Sequence, residues 1–263
     1  MDEQALRSGL AGLPLPAIQY FDNLPSTNDL ALDWADNGAP DFSLVAADSQ
    51  SAGRGRLGRH WVTRAGAALA FSLVLRPSAQ ETGQLALFSP LAGLAVSQAL
   101  EKLSALQPII KWPNDVLLER KKVAGILAEA AWEGQKVNGV ILGIGINVAP
   151  SSVPPAHELL FPATSVEQEV GHPIDRIRLL RSVLEELLAW RPYLGSPEFL
   201  QAWEKHLAFR GEWVEVSQPG NTSLQGQVVR IDQNGNLILL DTLGKEISIT
   251  AGDVHLRPVD GIH

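Results

Sequence analysis

The spacing of apolar residues changes period several times along the chain, and each change marks an element. Leu30, Ala31, Trp34 and Ala35 share one helical face. Ser26-Thr27-Asn28-Asp29 before them offers side-chain caps for a first turn, and Asn37-Gly38 ends the helix. Residues 42–47 and 69–75 are short apolar runs that read as buried strands. The Gly/Arg-rich stretch 48–59 between them has no packing period and reads as a loop. The uncharged stretch 82–100 is interrupted by Gln84, Ser89, Pro90, Ser97 and Gln98, so the pattern predicts a buried core helix over 85–103 and not a membrane span.

Strands are then predicted at 109–112, 116–119, 123–132 and 137–148. The links Glu119-Arg120-Lys121 and Glu133-Gly134-Gln135 are short enough to make the last three an antiparallel meander. Val153-Pro154-Pro155 opens an irregular loop lasting to about Ser165, a length typical of functional covers. Helices follow at 175–194, with Ile177, Leu180, Leu184, Leu187 and Leu188 at helical spacing, and at 197–207. From Gly211 the pattern becomes short strands at 213–217, 225–231, 237–240, 246–250 and 254–258. Their turns, Pro219-Gly220-Asn221, Asn234-Gly235-Asn236 and Leu243-Gly244-Lys245, suit a small barrel. So small a unit is expected to dock on the larger one, giving domains 1–209 and 210–263.

Composition narrows the chemistry. The 263 residues, 45% hydrophobic and 19% charged, hold one large domain plus a module. Twenty-one Lys+Arg against 29 Asp+Glu leave a net charge of -8, which argues against an extended nucleic-acid footprint, so any phosphate chemistry must use a local basic patch. The absence of cysteine excludes disulfides, thiolate zinc sites and a cysteine nucleophile, and is compatible with a reducing cytoplasm. The start MDEQALRSGL carries Asp2 and Glu3 where a secretory signal would be basic, so the chain reads as soluble, unexported and without a membrane partner. The six histidines have no ligand-like spacing, and no structural metal site is expected. Trp34, Trp112, Trp132, Trp190 and Trp203 read as packing residues, and Arg176, Arg178 and Arg181 as a solvated helix face.

Three segments carry candidate chemistry. Gly53-Arg54-Gly55-Arg56-Leu57-Gly58-Arg59-His60-Trp61 has the spacing G-x-G-x-x-G, but a strand and not a helix follows, and 73–80 lacks the ribose-binding acid, so a dinucleotide fingerprint is rejected. An anion cradle of backbone amides with arginine forks fits the residues; so do a solvated basic turn and an RNA-binding patch. Lys111-Trp112-Pro113-Asn114-Asp115, with Lys122 returning on the next hairpin strand, could hold a nucleotide, its Mg²⁺ and a developing negative charge, or be an Asn-Asp turn with surface lysines. Gly143-Ile144-Gly145-Ile146-Asn147 puts glycines inside a strand, where another backbone or a ligand approaches closely, and Asn147 is suited to read a base edge; an edge bulge with a turn-capping Asn explains the same residues.

Taken in order, Ser26-Thr27-Asn28, Gln50 with the GRGRLGRHW loop, KWPND at 111–115, KVAGIL at 122–127, GIGINV at 143–148 and Ala163-Thr164-Ser165 resemble a biotin protein ligase of the monofunctional type, over nearly the whole chain from about Tyr20 to Pro258. The resemblance implies an α+β fold: a mixed, largely antiparallel sheet flanked by helices, class II synthetase-like, with a small C-terminal SH3-like β-barrel. It implies ATP and biotin as substrates with Mg²⁺, biotinyl-5′-AMP as intermediate, and the lysine of a biotin carboxyl carrier protein, as in acetyl-CoA carboxylase, as acceptor. It also admits a homodimer.

By the same resemblance Arg54 and Arg56 clamp the adenylate phosphate, Lys111 holds the ATP phosphates, and Lys122 sits between the biotin carboxylate and the α-phosphate. Ser26, Thr27 and Gln50 bind the ureido ring, with Gly53, Gly125 and Leu127 lining its pocket and Trp61 walling the valeryl chain. Arg59, Asn147 and Arg257 go to the nucleotide, and Asp115 to Mg²⁺ or to orienting a lysine. The core begins too early for the DNA-binding domain of bifunctional relatives, so no DNA partner is expected. The rivals are a lipoate protein ligase, whose glycine-triplet loop is missing here, and a non-enzymatic RNA-binding adaptor.

Overall fold

The computed structural model of the protein describes residues 1–103, 105–218, 222–250 and 255–258, with 218, 222 and 255–258 defined for their backbone. The chain opens with α1 (Glu3–Gly9), capped by Asp2, and β1 (Ile18–Leu24), then α2 (Thr27–Asp36), β2 (Ser43–Gln50) and β3 (Ala68–Leu75). A 3₁₀ turn over Glu81–Leu87 leads into α3 (Phe88–Leu103). Next come β4 (Ile109–Lys111), β5 (Asp115–Leu118), β6 (Lys121–Glu133) and β7 (Lys136–Asn147), then α4 (Val166–Val170), α5 (Arg176–Trp190) and α6 (Pro197–Lys205). The tail forms β8 (Trp213–Gln218), β9 (Thr222–Ile231), β10 (Leu237–Leu240), β11 (Glu246–Ile249) and β12 (His255–Pro258).

The first seven strands form one mixed sheet in the order β1-β2-β3-β7-β6-β5-β4, parallel at β1-β2 and antiparallel elsewhere. β5, β6 and β7 are the expected meander. The helix expected at 85–103 starts three residues later because Gln84 breaks the helical dihedrals of the preceding turn. With the preceding 3₁₀ turn it makes a 23-residue helical stretch, Glu81–Leu103, whose length and hydropathy would allow a membrane span, but two thirds of its most apolar window is buried inside this fold. The pattern did not reveal α1, β1 or α4, two of which are helices of seven residues or fewer.

The two faces of the sheet are unequal. Leu69, Phe71, Leu73 and Leu75 of β3 and Leu142, Ile144 and Ile146 of β7 face α3 and α5 in the main core. On the other face Val45, Val74, Ala131 and Ile141 are covered by Ala31 and Ala35 of α2. The α5 face is less solvated than expected: Arg176 is half-buried and bonds Asp48 (2.7 Å) and the Ala68 carbonyl (3.1 Å), tying α5 to β2 and β3.

The last five strands form an antiparallel sheet in the order β11-β10-β9-β8-β12, the small β-module of the expected fold; the turn at 219–221 and residue 254 lie outside the described residues. Val214, Val216, Leu237 and Leu239 join the main core, and Trp112, 1% exposed, donates its indole N–H to the Gly235 carbonyl at 2.9 Å. Trp112→Phe keeps an aromatic ring but orphans that carbonyl. We expect a loss of about 1–2 kcal/mol, read as a lower urea midpoint at unchanged slope. An unchanged midpoint would show the bond to be dispensable.

Candidate active site

Because strand side chains alternate, burying Ile126 and Ile144 in the core turns Gly125, Leu127 and Glu129 of β6 and Gly143, Gly145 and Asn147 of β7 to the opposite face. Register brings the glycines together: Gly125 pairs with Gly145, and Gly143 with both Leu127 and Ser72. The result is a floor of bare backbone. A Cβ at Gly143 would lie 2.0 Å from Asn28 Oδ1, and one at Gly145 would lie 2.3 Å from the Trp61 indole.

The start of α2 closes one side of this floor. Ser26 Oγ accepts from the Asp29 amide, while the Thr27 amide and hydroxyl donate to Gln50 Oε1 at 2.8 and 3.1 Å. Gln50 Nε2 donates to Thr63 Oγ1 at 3.0 Å, and Ser72 Oγ donates to Asn28 Oδ1 at 2.6 Å. Ser26, Thr27 and Gln50 thus line one polar cavity with Gly125, Leu127, Gly143 and Gly145. Ser72 and Asn28 are buried supports, 0% and 4% exposed.

The arginine segment folds into a miniature hairpin over the cavity. Gly55 N–H donates to the Arg59 carbonyl (2.7 Å) and Trp61 N–H to the Gly53 carbonyl (2.8 Å), with Leu57 left-handed at the tip (φ 61°). Gly53 has no room for a side chain: a Cβ would sit 2.3 Å from the Trp61 carbonyl. Arg56 Nη1 donates to Asn114 Oδ1 at 3.3 Å. No helix follows, in keeping with the rejection of the dinucleotide fingerprint.

A second, larger cleft adjoins the first. Lys111, Asp115, Asn147, Phe161, Arg59 and Lys122 line it, and Trp61 and Lys122 belong to both. Lys122 Nζ lies 2.6 Å from Asp115 Oδ1 and 5.4 Å from the Trp61 ring; Lys111 Nζ lies 3.9 Å from Asp115 Oδ2 and 4.1 Å from the Phe161 ring. The segment expected to be a loop, 153–165, is a strap on the start of β6. Lys122 N–H donates to the Pro162 carbonyl and Thr164 N–H to the Lys122 carbonyl, at 2.7 and 2.9 Å. Asn147 spends one amide hydrogen on the Thr164 carbonyl, 3.1 Å.

Two of the expected site residues already have ion partners within the protein. Arg54 is not a free phosphate clamp: its two Nη atoms lie 2.9 and 2.6 Å from the oxygens of Glu129, and Nε lies 2.7 Å from Asp29. Burial alone would lower the guanidinium pKa, but Glu129 and Asp29 outweigh it and hold it above its ordinary value. Asp115 has cations on both sides. Its two oxygens face two lysines, and among the described residues no three acids or histidines gather to hold an ion. Its geometry suits the other expected role, orienting Lys122. Arg257 lies on β12, its backbone opposite Glu215, and its side chain falls outside the described residues.

Sequence reasoning singled out the close approach at 143 and 145 without placing those glycines in the site, and it missed Asn28, Ser72, Asn114, Glu129 and Phe161 as working residues. Asn28, Asn114 and Phe161 lay inside segments that drew attention; Ser72 and Glu129 did not.

The arrangement, a polar cavity and a cationic cleft meeting at one lysine, suits joining a small acid to a nucleotide phosphate. The model of the "Biotin/lipoate A/B protein ligase family" matches residues 20–147. The chain is 38% identical to the biotin--[acetyl-CoA-carboxylase] ligase of Paracoccus denitrificans, over 87% of this chain and 96% of that one. It is 36% identical to the ligase of the same name from Mycobacterium tuberculosis, over 98% and 96%. The biotin protein ligase of Aquifex aeolicus, solved in complex with biotin and ATP, superposes with a TM-score of 0.81 at 30% identity, over 93% of this chain and all of that one. The chain belongs to the biotin/lipoate protein ligase family.

The floor makes a direct prediction. Gly145→Ala should destabilise the fold by about 1–3 kcal/mol through overpacking, and Trp61→Ala in the same chain should remove most of that penalty in a denaturation cycle. A penalty that persists without the indole would mean that Gly145 answers to something else.

Proposed function

We propose that the protein is a biotin protein ligase that makes biotinyl-5′-AMP from biotin and ATP and transfers biotin to a lysine of a carrier protein. The observation that carries this reading is Lys122, which lines both cavities and so stands where a carboxylate in one meets a phosphate in the other. The names of the relatives support biotin and acetyl-CoA carboxylase as the chemistry served.

The ureido ring sits against Ser26, Thr27 and Gln50, with Gly53, Gly125 and Leu127 around it and Trp61 along the valeryl chain. A carboxylate oxygen attacks the α-phosphorus while the bond to the bridging oxygen breaks and pyrophosphate leaves. Lys122, aimed by Asp115, neutralises the crowded oxygens; Arg56 and Arg59 act from the loop side and Lys111 on the outgoing phosphates. Asn147 and Phe161 border the adenosine, with Arg257 as a contribution from β12. The carrier lysine, as free amine, then attacks the acyl carbon, AMP departs, and the amide nitrogen loses a proton. Mg²⁺ brought in with ATP would offset the charge of the phosphates.

The proposal includes 1–209 as the catalytic domain and 210–263 as a small module docked on it, a cytoplasmic setting where ATP and carrier meet, and no DNA partner, given the charge of -8. The test is to mix the protein with Mg-ATP, a biotin carboxyl carrier domain and either biotin or lipoate, and to follow pyrophosphate and carrier labelling. Biotin alone should support both. Lys122→Ala and Arg56→Ala should each lower the rate by roughly 10²–10³ with the melting temperature retained. Lipoate-dependent turnover, or unchanged rates in both variants, would overturn the reading.

A further inference from the structure

Four side chains beside the polar cavity form a chain of hydrogen bonds whose direction is fixed from one end. Asn28 Nδ2 lies 2.7 Å from Glu129 Oε2 and 3.3 Å from the Leu127 carbonyl, and neither a carboxylate nor a carbonyl has a hydrogen to give. The Asn28 amide must therefore present its N–H groups to β6 and its oxygen to β3. Ser72 Oγ stands 2.6 Å from that oxygen, and because an amide oxygen only accepts, the single hydroxyl hydrogen of Ser72 goes there. Asn28 fits this place because Gly143 has no side chain: a Cβ there would lie 2.0 Å from Asn28 Oδ1.

Thr27 is the last link. Its Oγ1 lies 2.8 Å from Ser72 Oγ, which has already given its hydrogen, and 3.1 Å from Gln50 Oε1, an oxygen oriented by the Thr27 amide at 2.8 Å. Both neighbours are acceptors, so the Thr27 hydroxyl hydrogen points toward them. Among the described residues no N–H or O–H is left to donate to Thr27 Oγ1. Thr27 is buried yet lines the cavity, so its oxygen offers lone pairs, and no hydrogen, to what binds there.

We propose that Ser72 is a positioning residue that sets ring specificity: by committing the Thr27 hydrogen to the protein, it makes Thr27 Oγ1 an acceptor that demands an N–H from the bound ring. This inference rests on the biotin reading and says how the site tells that ring from others. A ureido ring supplies the donor. The dithiolane of lipoate has none and leaves the Thr27 lone pairs buried and unpaired, while a cyclic carbamate sets a second acceptor against them. Ser72 is wholly buried in β3 and acts through Thr27.

The test compares biotin with the two cyclic carbamates in which one or the other ureido N–H is replaced by a ring oxygen, reading kcat/KM for pyrophosphate release with the carrier domain present. Wild type should prefer biotin about hundredfold over at least one carbamate. Thr27→Val, which has no oxygen to satisfy, should lose about hundredfold with biotin and little with that carbamate, so the preference disappears. Ser72→Ala leaves the Thr27 hydrogen only the longer contact to Gln50 Oε1, an oxygen already bonded to the Thr27 amide. The hydroxyl is then able to turn and donate to a ring oxygen, and the preference should fall about tenfold. Ser72→Cys, close to serine in size and a poor acceptor, should fall between wild type and alanine, and it carries the test where the alanine variant does not fold. Equal losses with both substrates and an unchanged preference are what a purely structural serine gives, and they would overturn the proposal; so would a wild-type preference below about threefold. Either result with brisk biotin turnover removes this inference alone, whereas wild-type protein that is inert with biotin removes the ligase reading and the inference with it.

Discussion

The site exists because a patch of one face of the central sheet is left without side chains. Strand geometry forces alternate residues onto opposite faces, so a sheet that buries Ile126, Ile144 and Ile146 on its core side must present the intervening positions to the other. In most sheets those positions would carry polar side chains toward water. Here Gly125, Gly143 and Gly145 occupy them, and Asn28 and Trp61 close in to distances at which a single methyl group would collide. The weakening that glycine brings to a strand is spread over the long β6–β7 ladder and over the core on the far face.

Charge is arranged around that floor in the same economical way. A chain of net charge -8 keeps a cluster of arginines and lysines at one place, and most of the cations described there have a carboxylate partner: Lys122 and Lys111 share Asp115, and Arg54 takes Glu129 and Asp29. Pairing aims the cations without a bound anion. It also divides labour within the arginine loop, where a side chain that looks like a phosphate ligand by type is a structural fork by geometry. The same logic makes Asp115 a partner for lysines.

Much of the fold was legible because period-2 and period-3.6 patterns are local. The α2 cap at Ser26, the β5–β7 meander and the five short terminal strands all follow from residues within a few positions of one another. What escaped depends on contacts distant in sequence. β1 is defined by its parallel pairing with β2 about 26 residues on, and α1 by packing on α5. The site divides likewise. The resemblance drew in the residues of compact motifs, but Ser72 reads as one more polar residue in an apolar strand, and Glu129 gains meaning only when Arg54, 75 residues away, is placed against it. Phe161 lay in an idiosyncratic strap, and its position over Lys111 follows from the backbone bonds of Pro162 and Thr164 to Lys122.

The most direct measurement is a crystal structure of the protein after incubation with biotin and Mg-ATP. Biotinyl-adenylate should lie across Gly143 and Gly145, its ureido ring against Thr27 and Gln50, its phosphate within hydrogen-bonding distance of Lys122 Nζ, and its adenosine in the cleft of Asn147 and Phe161. A ligand bound elsewhere, with the Trp61 ring still seated over an empty glycine floor, would contradict the assignment.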